Sequence, residues 1–143
     1  MLKGRYMKNY LLRCRVLTSV ATVVLLGGCA ANKPQLTTEL QSELEAPLYC
    51  EGEEQCKTMW ERATFFVSSN AGFKIQIHND TVIQTYNPMP NSPKLAFSIS
   101  REPLGSGRYQ IWTKAWCDNM FGCHPNHFEA IARAKRYIRT GTN

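Results

Sequence analysis

The chain has 143 residues, which suits one small domain and leaves little room for two. It carries 17 Lys and Arg against 11 Asp and Glu, a formal charge of +6. Five of the basic residues and none of the acidic ones lie before Cys29, leaving 12 against 11 in the rest of the chain, a balance that lacks the dense basic face needed for non-specific nucleic-acid binding.

Those five residues, Lys3, Arg5, Lys8, Arg13 and Arg15, open a segment with no acidic residue in its first 28 positions. An 11-residue, largely apolar run follows from Val16 to Leu26. It is too short to cross a hydrocarbon core of about 30 Å, which needs roughly 20 helical residues. A basic stretch, a short apolar run and small residues before a break describe an export signal. The closing residues, Leu26-Gly27-Gly28-Cys29, resemble the lipobox of bacterial lipoproteins: an aliphatic residue, two small ones, then a cysteine. That resemblance implies removal of residues 1–28, lipidation of Cys29 and anchoring to a membrane. In Gram-negative lipoproteins an Asp after the acylated cysteine holds the protein at the inner membrane. Ala30 in that place implies the outer membrane, with the chain facing the periplasm.

Residues 29–49 read as the lipidated N-terminus and a flexible tether, because Ala30 to Pro47 is polar and weakly patterned. A short exposed helix from Leu36 to Glu45 is the alternative there and leaves the spacer role intact. Residues 50–143 read as one domain. Cys50, Cys56, Cys117 and Cys123 remain once Cys14 is discarded and Cys29 carries lipid. In an oxidising compartment an even set of thiols points to two disulfides. The local pairs Cys50–Cys56 and Cys117–Cys123 are favoured, and spacing leaves the crossed pairings open.

From Glu53 the apolar residues Cys56, Met59, Trp60, Ala63, Phe66 and Val67 recur at helical steps. Glu51, Glu53 and Glu54 sit at the start, where carboxylates suit the free amides. Asn70-Ala71-Gly72 is expected to supply a left-handed stop. The period then falls to two. Phe73, Ile75 and Ile77 alternate with Lys74, Gln76 and His78, and Asn79-Asp80 turns into a strand from Thr81 to Tyr86. Asn87 to Pro93 reads as a loop, Leu95 to Ser100 as a third strand, Pro103 to Gly107 as a turn and Tyr109 to Cys117 as a fourth strand. A second helix opens at Asn126, with Glu129 three residues on as in a capping box, and runs to about Arg139. The expected fold is α+β, an antiparallel four-stranded meander with two helices on one face, in the order α-β-β-β-β-α. Phe73, Ile75, Ile77, Leu95, Phe97 and Ile99 should form its buried face, against Met59, Trp60, Ala63, Phe66 and Phe128.

Little in the chain reads as catalytic. Cys117, Cys123, His124, His127 and Asp118 could together supply a zinc set, but the spacing is unusual and export favours a disulfide over two thiolates. A metalloenzyme built on His124 and His127 is therefore the weakest reading, and no metal or other cofactor is expected. Ser106 lies in Gly105-Ser106-Gly107, which lacks the nucleophile-elbow pattern and reads as a turn. His78 reads as a solvated strand residue.

The fourth strand places Trp112, Lys114 and Trp116 on one face and Tyr109, Ile111, Thr113 and Ala115 on the other. Either the tryptophans pack inward, the more ordinary outcome, or they form an exposed strip of the kind that binds partners. The last helix adds a basic run that includes Arg133 and Arg136. The paired cysteines and the stretch Trp116-Cys117-Asp118-Asn119-Met120-Phe121-Gly122-Cys123 resemble small proteobacterial lipoproteins, a resemblance that implies no activity. The leading expectation is a non-enzymatic outer-membrane lipoprotein that binds a protein partner in envelope maintenance or assembly through Trp112, Lys114, Trp116, Arg133 and Arg136. The alternative is an inhibitor or immunity-type lipoprotein that blocks a wall- or lipid-degrading enzyme.

Overall fold

The stripe from Cys56 to Val67 is the buried side of an 18-residue helix in the computed structural model, which describes residues 36–142. The elements run α1 (Thr38–Glu45), β1 (Tyr49–Glu51), α2 (Glu53–Asn70), β2 (Ile75–His78), β3 (Val82–Thr85), β4 (Ser92–Gly105), β5 (Arg108–Asp118) and α3 (His127–Thr140). The leader, the lipobox and Cys29 lie outside the described residues.

The class is α+β with an open antiparallel sheet, as expected. That sheet has five strands rather than four, in the order β1-β5-β4-β3-β2, and there are three helices rather than two. Strands β2 to β5 are the expected meander, but β4 is longer than Leu95 to Ser100: Ser92 and Pro93, expected in a loop, and Pro103 to Gly105, expected in a turn, belong to it, paired with the long β5. Strand β1 carries little sequence signal because it is only three residues long and straddles the boundary drawn between tether and domain at residue 49/50. It pairs with Arg108–Gln110 at the edge of β5. Helix α1 is the other addition. It buries Leu40 and packs on α3, so part of the stretch expected as tether belongs to the folded unit.

The basic residues of α3 explain how so polar a helix is held. Lys135 donates from Nζ to the Leu44 carbonyl at 2.7 Å, and Arg139 pairs with the Glu43 carboxylate and reaches the Pro47 carbonyl. Burial lowers the Lys135 pKa below the ordinary lysine value, the nearby Arg139 charge lowers it further, and Glu43 opposes both.

Both local disulfides form, Cys50–Cys56 and Cys117–Cys123, with Cα separations of 5.0 and 5.5 Å. The first ties β1 to the start of α2, and the second closes the loop after β5. Each closed loop is short, and bridges of this kind typically stabilise by about 2–4 kcal/mol.

The core lies between the sheet and the α2–α3 layer. Phe97, Ile83, Ile99, Val67, Ile138 and Leu48 are fully buried there. Thr85 is the one buried polar residue among them, and its hydroxyl accepts from the Phe97 amide at 3.0 Å. Helix α3 opens on Asn126, whose Oδ1 accepts from the Phe128 and Glu129 amides, and it ends at Gly141 in the left-handed conformation. Glu129 pairs with Arg133 at 2.7 Å on the outer side of that helix.

Three local expectations are corrected. Helix α2 does not end in a left-handed stop: Ala71 is extended, and Gly72 is needed because a Cβ there would lie 2.5 Å from the Lys94 Cβ. Ile77 is 40% exposed rather than buried, because a β-bulge between Ile75 and Ile77 reverses the phase of β2. His78 stands opposite Ile83 on the helix side, where its Nε2 meets the Thr64 hydroxyl of α2 at 3.1 Å, and it stays exposed as expected. Phe128 is 44% exposed, since the buried stripe of α3 runs through Ala130, Ala134 and Ile138 and leaves Phe128 on its flank. The β2–β3 turn manages without glycine because Asn79 Oδ1 accepts from the Thr81 and Val82 amides.

Candidate functional site

Strand alternation and register decide which side chains share a face. Ile111 and Ala115 of β5 are buried under the helices, so their neighbours point the other way. Across the ladder, Trp112 lies opposite Ser100, Lys114 opposite Ser98 and Trp116 opposite Ala96. The register continues through Val82 and Gln84 of β3 to Ile77 of β2, and on the other side Tyr49 of β1 lies opposite Gln110. All of these occupy the face that no helix covers among the described residues. The exposed arrangement therefore holds for the tryptophan strip: Trp112 is 48% exposed, Lys114 is exposed and Trp116 is half-buried.

Opposite the two indoles the residues of β4 are small: Ser98 and Ser100 are half-buried, and Ala96 beside Trp116 is fully buried. Trp112 is oriented by its ring N–H, which donates to the Glu102 carboxylate at 3.1 Å. At the sheet edge Trp112 also borders a groove of about 480 Å³, lined by Leu48, Ile111, Phe128 and Ile131. The aromatic surface thus continues round the edge of β5.

A second apolar feature sits at one end of the sheet. The loop closed by Cys117–Cys123 presents Met120 and Phe121, which are 85% and 91% exposed. Asn119 ties this loop to the one before β4 by donating to the Asn91 carbonyl at 2.7 Å, and that neighbouring loop carries exposed Met89. Large apolar residues held outward by a covalent staple are not explained by folding, which would bury them. Sequence reasoning weighs this stretch as a disulfide-closed loop or a metal set and so passes over the tip residues Met120 and Phe121. The available signal was two large apolar residues at the centre of a short loop closed by cysteines.

Arg133 and Arg136 do not join this surface. Both lie on α3, in the layer on the far side of the sheet. Arg133 is engaged with Glu129, and Arg136 lines a hollow against Thr38, Glu39, Ser42 and Glu43 of α1. The basic run of α3 mainly holds α1. The zinc arrangement is also altered, because the sulfurs of Cys117 and Cys123 are bonded to each other. Among the described residues no group of three His, Cys, Asp or Glu is placed to hold a metal ion, and no helix is long and apolar enough to cross a membrane.

No protein-family model, curated protein or solved structure gave a match to this chain.

Proposed function

We propose that the protein is a non-enzymatic outer-membrane lipoprotein, facing the periplasm, that holds a protein partner in envelope maintenance or assembly. The observation that carries this reading is the uncovered sheet face bearing exposed Trp112 and half-buried Trp116, together with the exposed Met120 and Phe121 of the disulfide-closed loop at the end of the sheet. Indoles are among the residues that most often dominate binding hot spots. The Leu26-Gly27-Gly28-Cys29 pattern and Ala30 support the lipid anchor and the outer membrane. The two disulfides agree with an oxidising compartment.

Charge favours a protein over a lipid surface as the occupant. Neither the Asn87–Asn91 loop nor the stretch from Asp118 to Asn126 contains a Lys or Arg, which anionic headgroups would recruit around an apolar tip.

The experiment compares crosslinked captures from native envelopes using the tagged full-length protein and its Trp112→Ala/Trp116→Ala double variant. Hot-spot residues lose at least about 2 kcal/mol each on truncation, so the specific partner should fall by about ten-fold or more in the double variant. Phe121→Ala, which removes only an exposed side chain, should weaken the same partner without altering the circular dichroism spectrum. An unchanged capture from a folded double variant would overturn the proposal. A partner that proves to be a wall- or lipid-degrading enzyme, inactivated on mixing, would select the inhibitor reading instead.

A further inference from the structure

A second site lies on the other side of the sheet, where the first half of α2 crosses the β4–β5 turn. There a cleft of about 580 Å³, within the range of small-ligand pockets, is lined by Trp60, Tyr109, Arg101, Lys57, Glu53 and Glu61, with Asp80 at its border.

Arg101 is held in place on several sides. Its guanidinium carbon is 5.0 Å from the ring centroids of both Trp60 and Tyr109. Its Nε donates to the Asp80 carbonyl, and its own amide donates to the Thr81 carbonyl at 3.0 Å. Trp60 is fixed in turn, since its indole N–H donates to the Asn79 carbonyl at 3.1 Å. These contacts orient the guanidinium plane and leave its terminal nitrogens unengaged. The ion pairs among the described residues are Glu51–Arg108, Glu129–Arg133 and Glu43–Arg139, and none includes a group of this cleft.

An oriented guanidinium with a free outer edge suits a carboxylate, which accepts two parallel N–H bonds. Phosphate would share that geometry, but Glu53, Glu61 and Asp80 outnumber Arg101 and Lys57 at this cleft, which disfavours a multiply charged anion. The same carboxylates attract an ammonium. We propose that this cleft binds a small zwitterion of dipeptide size, its carboxylate on Arg101 and its ammonium toward Glu61 and Glu53.

Titration calorimetry on the full-length protein in detergent tests this with alanyl-alanine, its N-acetyl form, its C-terminal amide and inorganic phosphate. Saturable binding of alanyl-alanine is expected, at least about ten-fold tighter than either blocked form, because each block removes one charge-assisted contact. Arg101→Gln should weaken alanyl-alanine by about ten-fold or more. Glu61→Gln should weaken alanyl-alanine while leaving the N-acetyl form unaffected, which carries the test should Arg101→Gln fail to fold. Absence of saturable binding, phosphate binding as tightly as alanyl-alanine, or unchanged affinity in a folded Arg101→Gln or Glu61→Gln variant would overturn the proposal.

Discussion

Replacing Phe97 with alanine is expected to destabilise the fold by about 3–5 kcal/mol, whereas the same change at Phe121 should shift stability by no more than about 0.5 kcal/mol. The two residues are chemically identical and physically opposite. Phe97 is fully buried in the centre of β4, packs edge-on against Phe66 with ring centroids 6.0 Å apart, and donates its amide to the buried Thr85 hydroxyl. Its loss leaves a cavity in a small core that cannot close without moving α2. Small domains have about 5–15 kcal/mol in total, so this one truncation removes a large share. Phe121 touches little, and its side chain is already in water. Urea denaturation with the disulfides intact measures both variants. Comparable losses at the two positions would mean that the Cys117–Cys123 loop is packed rather than presented, and the reading of its tip as a contact surface would fall with that result.

Cys29→Ser is expected to abolish membrane retention. A single acyl chain gives only marginal, reversible binding, and stable anchoring takes two signals, so diacylation of one cysteine is an all-or-none determinant. No helix in residues 36–142 is long and apolar enough to cross a membrane. Mass spectrometry of the N-terminal peptide, with detergent phase partition of the whole protein, gives the readout. The unaltered chain should begin at Cys29 with an acyl mass and enter the detergent phase. The variant should lack both properties. An unmodified N-terminus upstream of residue 29 in the unaltered chain would remove the lipid anchor from the proposal and leave the sheet face untouched.

How much of this was legible in the sequence depended on whether a signal was local. The stripe of α2 repeats over several turns, and its bounds follow from Glu53 and Asn70 as read. The meander strands β3 to β5 are long enough, or flanked by clear enough turns, for alternation to locate them. Ile77 shows where alternation fails: one bulge residue inverts every later side chain of β2, and nothing in Phe73 to His78 announces it. Strand β1 and helix α1 are decided by their partners. Tyr49–Glu51 is a strand because β5 offers it an edge, and Thr38–Glu45 is docked because Lys135 and Arg139, about 90 residues later, meet its last turn. The candidate site divides in the same way. Trp112, Lys114 and Trp116 were grouped correctly by the period of two, but which face was covered required the position of α3. Arg133 and Arg136 lie in the layer opposite the tryptophans, and a basic helical run does not itself tell which side of the sheet its helix packs on. The cleft at Arg101 draws on α2, β4, β5 and the β2–β3 turn, which no short motif joins.

The most direct test of the docking face is site-specific photocrosslinking in intact envelopes, with a photoreactive side chain placed in turn at Trp112, Phe121 and Ser68. The first two occupy the sheet face and its apolar tip, and Ser68 is exposed on α2 in the opposite layer. A single defined adduct shared by positions 112 and 121 and absent at 68 is the expected result. No adduct from either of the first two positions, or the same adducts from all three, would contradict a partner-binding role for this face.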